Sequence, residues 1–565
     1  MIKQTSMRII YGILFFFYLC QNVYSQNYFQ QDVKYTINVT LNDKKHLLTG
    51  SEDIYYKNNS TTTLNELYFH LFPNAYKNNS TTLAKELFNT GDNIFLESEN
   101  KDLGYIDSLE FKVNGVPAEW NLLQDTIDIC RIKLPKPLQP GDSIHITTPF
   151  KVKIPNHRLS RLGHNAQAYF ITQWFPKPAV FDKNGWNYFS YLDKGEYYSE
   201  FGSFDVTITL PENYVVAATG ELVNGESEIV WLENKAKETM AMSDFPKELD
   251  IPTSSATMKT LRYKQDSIHD FAWFADKRWH VLKGEVQLPI SKRKVTTWSF
   301  FTNAEAEMWR KAPEYISNGI LYMSNWVGEY PYSTCTVVDV TYASGSGMEY
   351  PMVATIGSYG DPFELDVTIV HEVIHNWFYG IVGSNERKHP WMDEGICNFY
   401  ETRYIYTEYA SDKSKQLNNV YSYGRFKKLL NLEKINHKDI QYQRYLAGAR
   451  RHTSVSPNDY AQNFSRANYG GAVYYKTTIS TDYLKEYLGD SLFDRCMKRF
   501  YEKWKFKHPD PVDMKNEFEI ESGQKLDWYF NDLVRSDKYI DYSICSIKKE
   551  NGNAKLTLSN KGEIA

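Results

Sequence analysis

The sequence predicts a multidomain α+β protein in which an antiparallel β domain precedes a helix-rich domain and strands return at the end. The chain has 565 residues, a length that favours about three or four domains. Its 42% hydrophobic and 24% charged residues are typical of a folded globular protein and exclude collagen-like, coiled-coil and wholly disordered architectures. The spacing of its hydrophobic residues changes twice along the chain, which predicts the order of the domains.

The first 25 residues have the features of a secretory signal peptide. Two basic residues precede an apolar run at 9–20, and Val23 and Ser25 stand at the two positions that a signal peptidase reads. We therefore expect residues 1–25 to be removed and the mature protein to be exported, to the periplasm or to the outside of the cell. A membrane anchor is the alternative, but about twelve apolar residues fall short of the roughly 20 that span a bilayer. No later run is long and apolar enough to span a membrane.

Charge and cysteine content narrow the class of protein further. A formal net charge of -5 does not predict a nucleic-acid-binding surface, which needs clustered Lys and Arg. After removal of the signal peptide an odd number of cysteines remains without paired spacing, so we expect no disulfide framework. These are Cys130, Cys335, Cys397, Cys496 and Cys545.

The pattern along the mature chain divides it into three regions. Residues 26–258 contain short alternating segments, such as KYTINVT at 34–40, separated by turn signals, as in an antiparallel β domain. In residues 259–541 longer segments with helical periodicity take over, interrupted by runs such as 334–340 that are typical of strands. Strand patterns return in residues 542–565, where we expect the start of a C-terminal β-sandwich that the sequence leaves incomplete.

A candidate metal site lies in the middle region. The segment 367–377 reads VTIVHEVIHNW and carries His371 and His375 four residues apart. That spacing places both imidazoles on one face of a helix, where they can bind one Zn²⁺ ion. Glu372 lies about 100° around the helix from His371, so it can reach a metal-bound water without becoming a ligand.

A third ligand follows after eighteen intervening residues, where Glu394 stands in the run WMDEG. Two histidines and one glutamate leave the fourth zinc position open for water, which is typical of a catalytic site. The alternative is chance, but an acid required at one fixed position after the HExxH pattern arises by accident in only about one chain in a thousand. The metzincin pattern fails because Phe378 and Ile381 stand where it requires Gly and His.

These motifs, with the run GSGMEY at 345–350, resemble the M1 family of zinc aminopeptidases, in the gluzincin group. That family pairs HExxH-x18-E with a G-x-M-E-N motif, and the likeness extends over most of the mature chain, from the run ELYFHLFP at 66–73 onward. The resemblance implies a β domain packed on a thermolysin-like catalytic domain, with one Zn²⁺ per chain in the cleft between them. It also implies peptide substrates with a free N-terminus.

Site roles carried over by position follow from this resemblance. His371, His375 and Glu394 would bind zinc, and Glu372 would be the general base. The remaining implied residues are Tyr474 as the catalytic tyrosine with Tyr469 as its runner-up, Glu349 as the group that binds the substrate amine, and Gln173, Gly347 and Met348 as further substrate contacts. The sequence departs from the family at Tyr350, which replaces Asn, and at Thr477 and Thr478, which replace Gly and Ala.

The sequence therefore predicts an exported zinc aminopeptidase that hydrolyses the N-terminal peptide bond with a zinc-activated water. Two alternatives stay open. A zinc endopeptidase shares the metal site but has no use for Glu349. A non-catalytic peptide-binding protein with a vestigial zinc site has no need of Glu372, since binding alone requires no general base.

Overall fold

A computed structural model of the chain describes residues 28–247, 250–344, 346–412, 415, 435–451 and 453–564. The expected signal peptide at residues 1–25 lies outside these ranges, and so does Gly345 of the GSGMEY run. The described residues form a β-rich N-terminal part, a mixed α/β part and a C-terminal hairpin.

The N-terminal part consists of strands with the predicted alternation of buried and exposed side chains. In its first strand Val33, Tyr35 and Ile37 are buried and the residues between them are exposed, because successive side chains point to opposite faces of a sheet. Its strands are Asp32–Asn42 (β1), Leu47–Lys57 (β2), Leu64–His70 (β3), Tyr105–Asp107 (β4), Lys112–Val113 (β5), Val116–Pro117 (β6), Glu119–Leu123 (β7), Thr126–Leu138 (β8), Ser143–Lys153 (β9), Gly163–Asn165 (β10), Ala168–Ile171 (β11), Lys177–Pro178 (β12), Val180–Asp182 (β13), Gly185–Asn187 (β14), Gly202–Pro211 (β15), Val215–Ala218 (β16), Glu221–Leu222 (β17), Met258–Ile268 (β18) and Trp273–Asp276 (β19).

These strands form several sheets. The largest has the order β17-β18-β15-β1-β2-β9-β5-β6, with β4 also paired to β9. Its pairs are antiparallel except β1 with β15, which run parallel. Two smaller sheets have the orders β10-β11-β19-β16 and β12-β3-β8-β7, and β13 pairs with β14.

The N-terminal part extends further along the chain than the boundary at 258 that the sequence predicts. Strand β18 pairs with β15, and β19 pairs with β11 and β16, so both belong to the N-terminal sheets. The first strand of the next sheet begins at His280. The structure thus places residues 259–276 with the β domain, and the mixed part starts just after Asp276.

The mixed part contains one sheet among its described residues. Its strands are His280–Gln287 (β20), Lys294–Phe301 (β21), Thr334–Ser344 (β22), Gly347–Tyr350 (β23) and Val353–Ser358 (β24). Their order is β20-β21-β22-β24-β23, with parallel pairs in the middle and antiparallel pairs at both sides. Strand β23 is therefore an edge strand: no described strand pairs with its outer side, where another extended chain could bind.

Helices occur in both parts of the chain. They are Thr82–Asn89 (α1), Ile94–Glu97 (α2), Glu226–Ala241 (α3), Ala306–Trp309 (α4), Ala312–Trp326 (α5), Pro362–Ile374 (α6), Glu394–Glu408 (α7), His437–Ala449 (α8), Arg466–Asn468 (α9), Thr477–Leu488 (α10), Asp490–Trp504 (α11) and Pro511–Ser522 (α12), with π-helical segments at Tyr469–Lys476 and Trp528–Val534. Short 3₁₀ turns occur at Phe72–Tyr76, Asn303–Glu305, Pro390–Met392 and Ala461–Asn463.

Helix α6 is held firmly at its start and along its length. The side chain of Asp361 accepts hydrogen bonds from the backbone N–H groups of Phe363 and Glu364, and Pro362 fills the first turn. Gly319 of α5 lies directly against Val373, where a Cβ atom on the glycine would come within 3.0 Å of Val373 Cγ1. This close packing fixes the position of the HExxH residues relative to α5.

The C-terminal segment forms a hairpin of Tyr542–Glu550 (β25) and Asn553–Asn560 (β26), which pair with each other. Its apolar side chains are exposed, including those of Ile544, Ile547, Leu556 and Leu558. A hairpin of two strands has no second layer against which to bury such a face. These strands agree with the strand pattern that the sequence predicts after residue 542.

Two further observations concern membranes and cysteines. Within the described ranges, no helix combines the length and apolar character that a membrane span requires. The cysteines at 130, 335, 397 and 496 are buried, Cys545 is exposed, and all five are unpaired.

Candidate active site

The three predicted zinc ligands converge on one point. His371 Nε2 lies 3.2 Å from His375 Nε2 and 3.5 Å from Glu394 Oε2, and the remaining pair, His375 Nε2 and Glu394 Oε2, is 3.3 Å apart. Ligands about 2.0–2.1 Å from a tetrahedral Zn²⁺ ion lie roughly 3.3–3.4 Å from one another. The spacing of these three atoms therefore fits one zinc ion.

The chemistry of the three side chains fits zinc as well. Glu394 Oε2 is buried beside the two imidazole nitrogens, so a cation at this point would satisfy all three ligand atoms. Burial lowers the pKa of His371, but hydrogen bonds to Glu394 and Glu401 outweigh this effect and raise the pKa to about 10. The cluster thus favours positive charge at the point where its ligand atoms meet.

Two carboxylates behind the histidines orient both rings. His371 Nδ1 lies 2.8 Å from Glu401 Oε2, and His375 Nδ1 lies 2.5 Å from Asp393 Oδ1. Each carboxylate holds the proton on Nδ1, so the Nε2 lone pair is directed at the metal. The sequence interpretation missed both acids. Glu401 follows Glu394 by seven residues, two turns of α7, but this spacing alone does not distinguish it from other acids on a helix.

Glu372 lies beside the ligands with one free oxygen. It is buried, and its Oε2 atom has no hydrogen-bond partner among the described residues. Burial raises the pKa of its carboxyl to about 7, while His371 and His375 act in the opposite direction. A Cβ atom on Gly347 would come within 2.3 Å of Glu372 Oε1, so a larger residue at 347 would displace the carboxylate.

Glu349 faces the same cavity from the edge strand. It is 5% exposed, and it lines the cavity together with Gly347 and Met348 of β23. Burial raises the pKa of its carboxyl well above the ordinary value, and His375 opposes the shift. The structure thus brings together the metal ligands, Glu372 and Glu349 around one cavity, as the sequence predicts.

Tyr474 also lines the cavity, from the π-helical segment that leads into α10. Its hydroxyl donates a hydrogen bond to Glu394, and its ring stacks on His371 with 6.4 Å between ring centroids. Tyr469, the alternative tyrosine, lines the cavity too and lies 5.9 Å from Tyr474 between ring centroids. Both candidates are therefore close to the metal ligands.

Gln173 is the one predicted site residue outside the set that lines this cavity. It follows strand β11, its backbone has a φ angle of 48°, and both polar atoms of its amide are buried without a hydrogen-bond partner in the described structure. Its predicted role as a substrate contact stays a prediction.

The cavity also contains residues that the sequence interpretation did not single out. Three further acids and two bases contribute to its wall, and all lie outside the HExxH and GxMEN motifs. They are Asp193, Glu196, Glu386, Arg161 and Lys194. No spacing in the sequence connects the loop at 193–196 to the zinc motif, because tertiary folding alone brings them together.

Comparisons with known proteins agree with this geometry. Residues 320–533 match the model of the Peptidase family M1 domain. The chain is 26% identical over 203 residues to leucine aminopeptidase 2 of Chaetomium globosum, and the match spans 35% of this chain but only 30% of that enzyme.

Solved structures resemble almost the whole chain. A mutant of the M1 zinc metallopeptidase from Deinococcus radiodurans matches with a TM-score of 0.58 at 13% identity, over 90% of this chain and 95% of the other. The same enzyme with a bound Tyr-Ser-Ala substrate matches with a TM-score of 0.55 at 12% identity, over 89% and 94% of the two chains. At this level of identity the likeness shows a shared fold, that of the M1 metallopeptidases. Residues 320–533 therefore form a peptidase family M1 domain, and the His-His-Glu zinc site lies within it.

Proposed function

We propose that this chain is an exported zinc aminopeptidase that removes the N-terminal residue from peptides. The observation that carries the proposal is the position of Glu349, a buried carboxylate that lines the same cavity as the zinc ligands and Glu372. A carboxylate there can pair with the ammonium of a peptide N-terminus through a charge-assisted hydrogen bond. An endopeptidase substrate has no ammonium at that place.

Glu372 supplies the general base of the reaction. The ion, when bound, lowers the pKa of a coordinated water to about 7 and polarises the substrate carbonyl. The free oxygen of Glu372 accepts the proton of the attacking water and later delivers it to the departing amine. Burial raises the pKa of this carboxyl, which favours its acceptance of a proton from water.

Tyr474 is proposed to stabilise the charge that develops on the carbonyl oxygen. Its hydroxyl already lies within hydrogen-bond distance of Glu394, close to the metal ligands. During the reaction the hydroxyl would donate to the developing oxyanion instead. In comparable sites one such donor stabilises the transition state by about 2.7–4 kcal/mol. Tyr469 is the alternative donor, since its ring packs against that of Tyr474.

Edge strand β23 is proposed to bind the substrate backbone. Gly347 has no side chain to occupy the space beside Glu372, so an extended peptide can approach the strand closely. Such a peptide would end at Glu349, where its free amine is held. Met348 and Gln173 complete the set of proposed substrate contacts.

The similar proteins support this activity. One is named leucine aminopeptidase 2, and the Deinococcus radiodurans metallopeptidase has been crystallised with the tripeptide Tyr-Ser-Ala. Export is proposed from the sequence of residues 1–25 alone. If it is correct, protein recovered from the periplasm or the medium of its host should begin at Gln26.

The test of the activity compares one peptide in free and N-acetylated forms. Acetylation removes the positive charge and adds bulk at Glu349, so we expect rapid loss of the first residue from the free peptide and almost none from the acetylated one. Chelation should abolish the reaction. Comparable cleavage of both forms would support the endopeptidase alternative, and binding without cleavage by the zinc-loaded protein would support the peptide-binding alternative.

A further inference from the structure

Three carboxylates of the catalytic cavity have no part in the proposed reaction. The cavity is lined by seven acids, of which Glu394 is a zinc ligand, Glu401 orients a ligand, Glu372 is the base and Glu349 binds the amine. The remaining three are Asp193, Glu196 and Glu386. Carboxylates are costly to bury without a partner, so their presence in the wall calls for a cation.

Glu196 and Glu386 lie at the Glu349 end of the cavity. The ring of Tyr197 packs edge-on against Tyr350, the neighbour of Glu349, with 6.1 Å between ring centroids. Tyr197 N–H donates to Glu386 Oε2 at 3.1 Å, and Glu386 N–H donates to the Tyr197 carbonyl at 3.2 Å. This double link holds Glu386 and Glu196 beside the strand that carries Glu349.

The bases in the wall leave part of this negative charge unbalanced. Arg161 Nε donates to Glu196 Oε1 at 3.0 Å, whereas Glu196 Oε2 is buried without a hydrogen-bond partner among the described residues. Lys194 Nζ donates to the Phe464 carbonyl at 2.8 Å and lies 3.9 Å from Glu86 Oε1, so it is engaged by partners other than Glu196 and Glu386. Arg387 acts on Glu386 electrostatically, but no base among the described residues forms a salt bridge with its carboxylate.

The acids also repel one another. Burial raises the pKa of Glu386 well above its ordinary value, and the nearby charges of Asp393, Glu394 and Glu196 raise it further. Burial raises the pKa of Glu196 to about 7, although Arg161 lowers it. A positively charged group that binds beside Glu386 and Glu196 would stabilise the ionised form of both carboxyls.

We propose that Glu196 and Glu386 form a subsite for the cationic side chain of the substrate's first residue, so that the enzyme prefers peptides beginning with Lys or Arg. This rests on the proposed aminopeptidase function, because the first residue lies at this end only if Glu349 holds its amine. The side chain of an N-terminal residue starts one atom from that amine, so it reaches the wall next to Glu349. Both acids would then bind the incoming cation through charge-assisted hydrogen bonds.

The test uses pairs of substrates that differ in charge but little in shape. Zinc-loaded protein is given arginyl and citrullyl substrates, then lysyl and norleucyl substrates, all with the same fluorogenic leaving group, and kcat/KM is measured. We expect the charged member of each pair to be favoured by about 10- to 100-fold, the range for one or two hydrogen bonds to charged groups. A glutamyl substrate should be the poorest.

Two variants test the residues themselves. E196Q and E386Q keep the size of each side chain, and they should reduce the preference for arginyl over citrullyl about tenfold. E233Q is the control, because Glu233 is on the surface helix α3 and pairs with Lys283 away from the cavity. Norleucyl turnover also reports whether each variant is folded.

The outcomes separate this inference from the proposed function. Equal kcat/KM for charged and neutral partners in the wild type would overturn the subsite while leaving the aminopeptidase intact. A preference for the glutamyl substrate would also overturn it and would assign the selection to Arg161. If no aminoacyl substrate is hydrolysed, the proposed function fails and the subsite fails with it. If neither variant folds, the comparison of charged and neutral substrates on the wild-type protein still decides whether the subsite exists.

Discussion

Glu372 and Glu394 are both buried carboxylates at the zinc site, yet their contacts give them different chemistry. Burial raises the pKa of Glu394, but hydrogen bonds from His371 and His375 outweigh it and hold the pKa well below the ordinary value. Such a carboxylate stays ionised and is suited to bind a metal. Glu372 lacks these partners, and its pKa is raised to about 7, which suits a group that exchanges protons.

Glu372→Gln should separate metal binding from catalysis. The amide keeps the size of the side chain but cannot accept a proton from water, so turnover should fall by roughly 10² to 10⁴. Zinc content, measured on the purified variant by elemental analysis, should match that of the wild type. Near-normal turnover in the zinc-loaded variant would show that Glu372 is not the base.

Among the elements, α7 explains why part of the site could not be predicted from the sequence. The HExxH pattern and Glu394 were identified because they occur at fixed spacing along the chain. Glu401 lies seven residues after Glu394 on the same face of α7, but pairs of acids at this spacing are common on helices. Only its 2.8 Å approach to His371 distinguishes it.

Glu401→Gln should weaken zinc binding without removing a ligand. The neutral amide no longer polarises the His371 ring as a carboxylate does, and loss of such a partner typically reduces metal affinity about 10- to 100-fold. Competition with a chelator of known affinity measures the change. Glu408→Gln, on the same helix but bonded to the surface residue Tyr322, is the matched control and should leave zinc affinity unchanged. Unaltered affinity in Glu401→Gln would contradict the orienting role.

Strand β19 shows a second limit of sequence patterns. The sequence predicts that segments with helical periodicity take over after residue 258, whereas the structure has strands at Trp273–Asp276 and from His280. All four residues of β19 are buried, because the strand is covered on both faces. A strand buried in this way has no alternation of polar and apolar residues, so its pattern resembles that of a buried helix.

Strand β2 carries a buried acid whose titration should be visible in stability. Glu52 is 3% exposed on the inner face of the sheet, and neither oxygen has a hydrogen-bond partner in the described structure. Burial therefore raises the pKa of its carboxyl well above the ordinary value of 4.5. Between these two pKa values the folded chain holds a proton that the unfolded chain has lost. Stability from this group is thus fully present below about pH 4.5 and falls as pH rises.

Glu52→Gln should remove this pH dependence. In the wild type this one proton should lower the free energy of unfolding by about 1.4 kcal/mol per pH unit. The variant lacks this loss, so it should gain stability relative to the wild type as pH rises from 5 to 8. Thermal melting of both proteins across this range measures the difference. Asp53→Asn is the control, because this half-buried side chain lies on the opposite face of β2. A constant difference between Glu52→Gln and the wild type would mean that Glu52 is ionised in the folded protein.

At the scale of the whole molecule, the β-rich part and the mixed part are joined by polar contacts as well as by apolar packing. Thr219 Oγ1 donates to the Pro351 carbonyl at 2.9 Å, and the Tyr332 hydroxyl donates to the Ser267 carbonyl at 2.9 Å. Buried apolar residues from both parts also form one continuous core. The cavity is thus walled by both parts, and its shape depends on their packing more than on the metal.

Removal of zinc should therefore abolish activity but preserve the fold. The ligands sit at the end of α6 and the start of α7. Both helices are anchored by their buried side chains, and α6 also by the Asp361 cap, none of which needs a metal, unlike the small domains that unfold without their ion. The metal still adds stability by mass action, about 2.7 kcal/mol when free zinc is 100 times its dissociation constant, so melting should begin a few degrees lower after chelation. Far-UV circular dichroism should hardly change, and added zinc should restore cleavage. Loss of the helical signal on chelation would show that the metal holds the domain together, and full activity without metal would contradict the zinc site itself.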